Sequence, residues 1–293
     1  MPSHTITLPA PAKLNLFLHI TGQRENGYHD LQTLFQFIDL ADTLHFTTTQ
    51  NKDVSVKPNT NSTNQIAPDQ ELKQEDNLIY KAAKALMPHN QTGYGIEILF
   101  EKKIPSGAGL GGGSSDAATT LLALNALWQC QLSNQQLCEI GLTLGADVPV
   151  FVAGQTAFAE GVGEHLTPVS PATPWYIVIK PNAHISTAEI FSHPDLTRNT
   201  PTLKISAALE QGGHNDCEKV VRKLYPEVDK AMSWLNNFSL TKLTGTGACI
   251  FAEFSSQQEA LDVAEQYPDS SAIFVAKGLN NNPAHRALQE RLA

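Results

Sequence analysis

The sequence predicts an α+β protein of two domains. Its 293 residues exceed what one ordinary hydrophobic core organises. Apolar segments of strand period are interleaved with segments of helical period along the whole chain. The composition also shifts across residues 161–174, which predicts one domain over residues 1–160 and a second over residues 161–293. With 41% hydrophobic and 17% charged residues, the balance is that of a soluble globular protein with a sizeable core.

In chain order, Thr5-Ile-Thr-Leu and Leu14-Asn-Leu-Phe-Leu-His-Ile both alternate like strands. Between them Pro9-Ala-Pro-Ala-Lys13 puts Lys13 at a strand start beside two prolines, where the backbone is stiff. Asn15 shares its strand face, since positions two apart point the same way. Asn26-Gly27 is a strong turn signal, and Tyr28 and His29 follow it as either a binding lip or the turn's packing anchor. Residues 31–46 are apolar and read as strand. Residues 50–75 read as a short strand around Val54 within a variable polar surface loop, punctuated by Pro58 and Pro68. The glycosylation pattern Asn61-Ser62-Thr63 carries no meaning in a cytosolic chain. Asn77 then caps a helix through Tyr80 to Met87, and Gly95-Ile-Glu-Ile-Leu-Phe-Glu alternates again as a strand.

Next comes Ile104-Pro-Ser-Gly-Ala-Gly-Leu-Gly-Gly-Gly-Ser-Ser-Asp116, with glycines at 107, 109, 111, 112 and 113. Such a run adopts positive φ repeatedly and lets a ligand reach the backbone. A helix follows, with Ala117, Leu121, Leu124 and Trp128 on one face and apolar neighbours nearly all round. Strand, glycine loop and helix N-terminus together present free N–H groups and a positive dipole end, which suits a phosphate chain. The loop is not a Walker A loop, because no lysine follows its glycines. Gly107-x-Gly109-x-x-Gly112 matches the dinucleotide fingerprint by letter, but that motif needs a second strand ending in a carboxylate. Here a second helix follows instead, with Ser133 as N-cap, Gln136 completing a capping box and Gly145 as stop.

Asp147, in Gly145-Ala-Asp-Val-Pro149-Val-Phe-Val, is expected at a helix-to-strand junction, either as a turn aspartate or as a carboxylate beside the phosphate site. The second half reads as a strand from Trp175, a polar stretch with Phe191, helices over residues 216–225 and 228–235, and a glycine turn at residues 244–247 feeding a strand. A helix over residues 256–266 and a strand over 272–276 close it.

The formal charge of −9 argues against a nucleic-acid partner, which requires a broad basic face. A few lysines can still focus charge on a small anion. No apolar run approaches a membrane span, and the N-terminus lacks a signal peptide's basic and apolar regions. Cys130, Cys138, Cys217 and Cys249 have neither metal nor disulfide spacing and read as reduced residues of a cytoplasmic protein. The histidines lack a His-x-x-x-His pair, so no metal ligands are assigned.

Pro11-Ala-Lys13-Leu-Asn15, residues 105–118 and residues 243–251 together resemble the three signature motifs of the GHMP kinases, small-molecule kinases acting on galactose, homoserine, mevalonate and phosphomevalonate. Pro9-Ala-Pro-Ala-Lys-Leu-Asn-Leu, Gly27-Tyr28-His29, Gly145-Ala-Asp147-Val-Pro149 and Asn215-Asp216 bring the resemblance closer to the branch that acts on a cytidyl diphosphate of methylerythritol, in non-mevalonate isoprenoid formation. A homoserine or mevalonate type of kinase is the alternative. The resemblance implies a two-domain GHMP kinase fold with an active-site cleft between the domains, and transfer of the γ-phosphoryl of ATP to the 2-hydroxyl, with Mg²⁺ on the phosphates. It implies Lys13 and Asp147 as the catalytic pair. Pro105, Ser106, Gly107, Ala108, Gly109, Leu110, Gly111, Gly112, Gly113, Ser114 and Ser115 would form the ATP loop, with Asn77 and Lys102 near the adenine. Asn15, Tyr28, His29, Thr187 and Phe191 would face the cytidyl substrate. Nothing is carried onto residues 50–75. A nicotinamide dehydrogenase would need the missing strand and carboxylate, and an inactive binding module would lack Lys13 or Asp147.

Overall fold

The computed structural model describes residues 5–60 and 73–292; the Asn61-Ser62-Thr63 pattern and much of the expected polar loop lie outside the described residues. Two long strands, β1 (Thr5–Gln23) and β2 (His29–Thr49), form the spine as an antiparallel pair. β1 takes one edge of β2. The other edge of β2 is shared in turn by β5 (Ala157–Gly161), β10 (Ala272–Leu279) and β4 (Gly95–Glu101). β3 (Val54–Pro58) lies parallel to β4, and β6 (His165–Pro168) pairs with β5. From β10 the sheet continues through β7 (Trp175–Lys180) and β9 (Ile250–Phe254) to β8 (Thr241–Leu243). β10 thus joins the strands of both halves, pairing with β7 over six residues and with Phe37 and Ile38 of β2 at its end.

The expected break at the two prolines is absent. β1 runs unbroken through Pro9 and Pro11, with a register shift between Pro11 and Ala12, so Lys13 stands in mid-strand. β1 pairs with a strand on one side only, and an edge strand tolerates a missing N–H. The Lys13 amide turns instead to the carbonyl of Leu110 at 3.0 Å, which ties the strand to the glycine loop.

The first core packs α1 (Leu78–Leu86), α2 (Gly112–Leu127), α3 (Asn134–Leu144) and α4 (Val148–Ala153) on the sheet. Every residue of α2 from Ser115 to Leu124 is buried, as its all-round apolar pattern predicts. The caps predicted for α1 and α3 both form. Asn77 accepts from the amide of Ile79, and Ser133 and Gln136 make the reciprocal capping box. Asp147 departs from expectation: it joins two helices, α3 and the short α4, rather than a helix and a strand. Val150-Phe-Val is short and apolar, which fits either element, and Pro149 in the first turn of α4 forfeits no helical hydrogen bond.

In the second half, α5 (Thr187–Ser192) and α6 (Ile205–Gln211) lie in the polar stretch and beyond it. α7 (Glu218–Leu224), α8 (Pro226–Leu235) and α9 (Gln257–Ala264) cover the β7 to β10 side through Val220, Val221, Val228, Met232, Leu235, Ala260 and Val263. The last helix, α10 (Pro283–Leu292), turns back to pack Ala287 and Leu288 on the first core. The β5–β6 hairpin, α6 and α10 lack sequence counterparts in the reading above.

Candidate active site

The glycine loop crosses between β4 and α2. Gly107, Gly109 and Gly111 have φ of 59°, 77° and 71°, and α2 starts at the next residue. Two of these positions also have no room for a side chain. A Cβ on Gly109 would overlap the Thr244 carbonyl, and one on Gly111 would lie 3.0 Å from the Phe151 ring and 3.1 Å from Cε of Lys13. The N-cap Gly111 supplies no side-chain cap, so the first amides of α2 stay available to an anion.

A cavity of about 1230 Å³ opens along this loop. Lys13, Asn15, Tyr28, His29, Asn77, Lys102, Asp147, Thr187 and Phe191 all line it, together with Pro105, Ser106, Gly107, Ala108, Gly109, Gly111, Gly112, Gly113 and Ser114. Two residues of the expected set stand behind the wall. Leu110 is buried and contributes only its carbonyl to Lys13; Ser115 is buried with its hydroxyl unpaired. The rest of the wall is drawn from both halves of the chain, including Phe35, Asp116, Ala146 and, just after β8, Gly245, Thr246 and Gly247.

At the centre Lys13, 3% exposed, reaches Oδ2 of Asp147 at 3.2 Å. Its ammonium also donates to Oδ1 of Asn15 (2.5 Å) and to the Gly109 carbonyl (3.1 Å), and lies 5.2 Å from the centre of the Phe35 ring. Asn15 is held in turn, its Nδ2 donating to Thr33 Oγ1 at 2.9 Å and its backbone amide to Thr244 Oγ1 at 3.0 Å. A buried ammonium survives only if its protons are engaged, and here acceptors from β1, the glycine loop and the α3–α4 junction engage it. The Asp147 side chain is 33% exposed, so its carboxylate meets both the ammonium and the cavity.

At one end of the cavity Lys102 bridges two carboxylates, Asp42 and Asp116, the second at 2.7 Å. Asp42, on β2, also accepts from the amides of Lys103 (2.5 Å) and Ile104 (2.8 Å), clamping the start of the loop. Burial would lower the Lys102 pKa, but the two carboxylates outweigh it and hold the ammonium charged. Burial and the neighbouring Asp42 carboxylate raise Asp116 above the ordinary carboxylate range, against the pull of Lys102. Asn77 spends its side-chain carbonyl on capping α1. Asp42 and Asp116 are absent from the predicted site. Asp116 directly follows the Ser114-Ser115 pair and was open to notice, whereas Asp42 lies about sixty residues from its partner, with no local signal.

At the other end Tyr28 is 65% exposed, while His29 is buried and stacks on Phe191, ring centres 5.0 Å apart at 28°. His29 and Phe191, from opposite halves of the chain, therefore meet directly, and Tyr28 stands outside that pair. Arg198 donates through Nε to Nε2 of His29 at 3.1 Å, a contact unforeseen from sequence. Burial, then the Arg198 charge, lower the His29 pKa below the usual histidine value. Thr187 shares a hydrogen bond with Thr246 at 2.9 Å. Asn215 donates to the carbonyls of Leu243 and Gly245, fixing the glycine turn after β8. Among the described residues no group of three His, Cys, Asp or Glu side chains is arranged for a metal ion.

Two family models match the chain: GHMP kinases N terminal domain over residues 77–155, and GHMP kinases C terminal over residues 199–271. A protein of Aliivibrio fischeri named 4-diphosphocytidyl-2-C-methyl-D-erythritol kinase is 52% identical over 290 residues, covering 99% of this chain and 98% of that one. One of the same name from Marinomonas sp. is 54% identical over 284 residues, covering 97% and 90%. Among solved structures, a 4-(cytidine 5'-diphospho)-2C-methyl-D-erythritol kinase superposes with a TM-score of 0.78 at 32% identity, covering 93% of this chain and 99% of that one. A homoserine kinase from Cytophaga hutchinsonii shares the fold at 17% identity, with a TM-score of 0.63 and coverage of 95% and 96%.

Proposed function

The chain belongs to the GHMP kinase family, and we propose that it uses ATP to phosphorylate the 2-hydroxyl of 4-diphosphocytidyl-2-C-methyl-D-erythritol. The observation that carries the chemistry is the Lys13–Asp147 contact at 3.2 Å, on a cavity with a glycine loop along it and a His29–Phe191 aromatic pair at its far end.

Phosphoryl transfer asks a protein for alignment and for charge stabilisation more than for covalent help. In this reading the amides of Gly111 to Gly113 and the dipole of α2 receive the β- and γ-phosphates. Lys102 and Asn77, lining the same end of the cavity, flank the adenosine. Asp147, held by Lys13, accepts the proton of the attacking hydroxyl. Lys13 keeps that carboxylate aimed into the cavity and offsets the negative charge that gathers as the phosphoryl group moves. Its own position is fixed by Asn15 and the Gly109 carbonyl. Residues 1–160 supply the catalytic pair and the phosphate loop, and residues 161–293 add Thr187 and Phe191 on the acceptor side.

Mg²⁺ usually binds such sites through one or two protein oxygens plus the phosphates, so a preformed three-ligand cluster is not required. The donor set here fits that pattern. Ser114 lines the cavity at the N-terminus of α2, and its hydroxyl would hold the ion, in the manner of a phosphate-loop serine. When bound, Mg²⁺ neutralises charge on the β- and γ-oxygens. We assign the reaction to the cytoplasm. Free Cys130, Cys138, Cys217 and Cys249 support this, and among the described residues no helix is long and apolar enough to cross a membrane.

The test is ADP release measured over a panel of alcohols that includes the cytidyl substrate, homoserine and mevalonate. The cytidyl compound should turn over with a kcat/KM at least about 10⁴-fold above the rest, the scale at which a site built around specific polar contacts rejects a compound lacking them. Preferred turnover of homoserine or mevalonate would overturn the assignment and leave only the family.

A further inference from the structure

Arg198 is half-buried and has no carboxylate partner among the described residues. Its guanidinium nevertheless makes four hydrogen bonds. Nη2 donates to the carbonyls of Phe191 (2.7 Å) and His193 (2.9 Å), and Nη1 donates to that of Leu196 (3.1 Å). These three gather the turn after α5 around one cation. The fourth, from Nε to Nε2 of His29 at 3.1 Å, spans 169 residues of sequence and reaches the start of β2.

This last bond has a chemical consequence. A guanidinium is always protonated and has no lone pair to offer, so it can only donate. Nε2 of His29 must accept. A neutral imidazole carries one proton, and with Nε2 accepting, that proton sits on Nδ1. Burial and the adjacent Arg198 charge both disfavour a second proton on the ring. No other hydrogen bond to the ring is present among the described residues, so Nδ1–H is the group left for a ligand. The same guanidinium grips the Phe191 carbonyl, and the Phe191 ring lies stacked against His29. One side chain therefore sets the spacing of the aromatic pair and the hydrogen-bonding sense of its polar member.

We propose that Arg198 is a positioning residue for base recognition: by occupying Nε2 it fixes Nδ1–H of His29 as a donor, which accepts cytosine and rejects uracil. Cytosine presents a lone pair at N3, whereas uracil presents N3–H. A fixed donor pairs with the first and opposes the second, leaving two desolvated donors face to face. The inference rests on the cytidyl reading of the acceptor given above.

Two measurements on the full-length chain test it. Long-range ¹H–¹⁵N correlation of the imidazoles, with the His29 signals assigned by their loss in His29→Asn, reports the tautomer directly. Wild type should show Nδ1–H, and Arg198→Met should revert to Nε2–H, the form imidazoles favour in water. In parallel, kcat/KM is compared for the cytidyl substrate and its uridyl counterpart. Wild type should prefer cytidyl by at least about 10²-fold, and Arg198→Met should shrink that preference about tenfold or more with KM for ATP unchanged. An Nε2–H tautomer in the wild type, or an undiminished preference in a folded Arg198→Met, overturns the proposal. Should Arg198→Met fail to fold, the wild-type tautomer alone still decides. If the wild type leaves the cytidyl substrate unphosphorylated, the assigned function falls instead, and the tautomer measurement is untouched by that outcome.

Discussion

Replacing Lys13 with methionine separates the ammonium from the space it fills. The two side chains have similar length, so the buried channel between β1 and the glycine loop stays occupied. One hydroxyl can serve only one of the two acceptors left behind. The Gly109 carbonyl also receives Thr244 Oγ1 at 3.2 Å, and the same hydroxyl lies 3.5 Å from Oδ1 of Asn15. Stability should therefore fall by about 1–3 kcal/mol, the cost of one buried acceptor left without its donor. Catalysis should respond more. Two unit charges 3.2 Å apart interact by about 5 kcal/mol at an effective dielectric near 20. Solvent reaching Asp147, 33% exposed, makes that a ceiling. A pre-aimed electrostatic donor is worth about 10²–10³ in kcat, or roughly 3–4 kcal/mol, which fits under it. Steady-state ADP release should show kcat of Lys13→Met reduced by about 10²–10³-fold, with Kd for ATP within a few-fold of wild type. A folded variant keeping more than a tenth of wild-type kcat would refute the role given to the ammonium.

Three further outcomes follow from the same geometry. Gly111→Val should abolish detectable ATP binding by calorimetry in a protein whose circular dichroism is native, because φ of 71° and the nearby Phe151 and Lys13 both exclude a β-branched side chain; normal affinity would move the triphosphate elsewhere. Phe191→Ala should raise KM for the cytidyl substrate by about 5–150-fold, the worth of one base stack, and leave KM for ATP alone. An effect on ATP instead would reverse the two ends of the cavity. Asp42→Ala leaves the amides of Lys103 and Ile104 unpaired and Lys102 with one carboxylate. It should cost about 3–5 kcal/mol in urea unfolding, and a loss under about 1 kcal/mol would show the clamp to be dispensable.

The contrast between Asn77 and Asp42 shows what was legible in the sequence. Asn77 bonds an amide two residues away, and Ser133 with Gln136 closes a box within one turn. Signals of that range are written in adjacent letters, as are the glycines whose positive φ the loop requires. Lys13 stands in mid-strand rather than at a strand start because tolerance of Pro9 and Pro11 depends on β1 being an edge, which is a tertiary fact. The helix after Asp147 is not legible in the sequence because a short apolar run has no period to measure. Asp42 with Lys102, and His29 with Arg198, are brought together only by folding, across 60 and 169 residues of chain. Which of the residues facing the cytidyl substrate meet one another is likewise a tertiary fact: His29 stacks on Phe191 because β2 starts at His29 and carries its ring inward, while Tyr28 stays outside the pair.

The most direct test of the catalytic account is kcat of Asp147→Asn on the cytidyl substrate with saturating ATP. Asparagine keeps the shape of the side chain at the α3–α4 junction and removes the charge and the proton acceptor. Asp147→Asn should keep a native fold and unchanged ATP affinity, with kcat lowered by about 10²–10⁴-fold. Turnover within a few-fold of wild type would contradict it, since the carboxylate beside Lys13 would then neither accept the hydroxyl proton nor orient the hydroxyl.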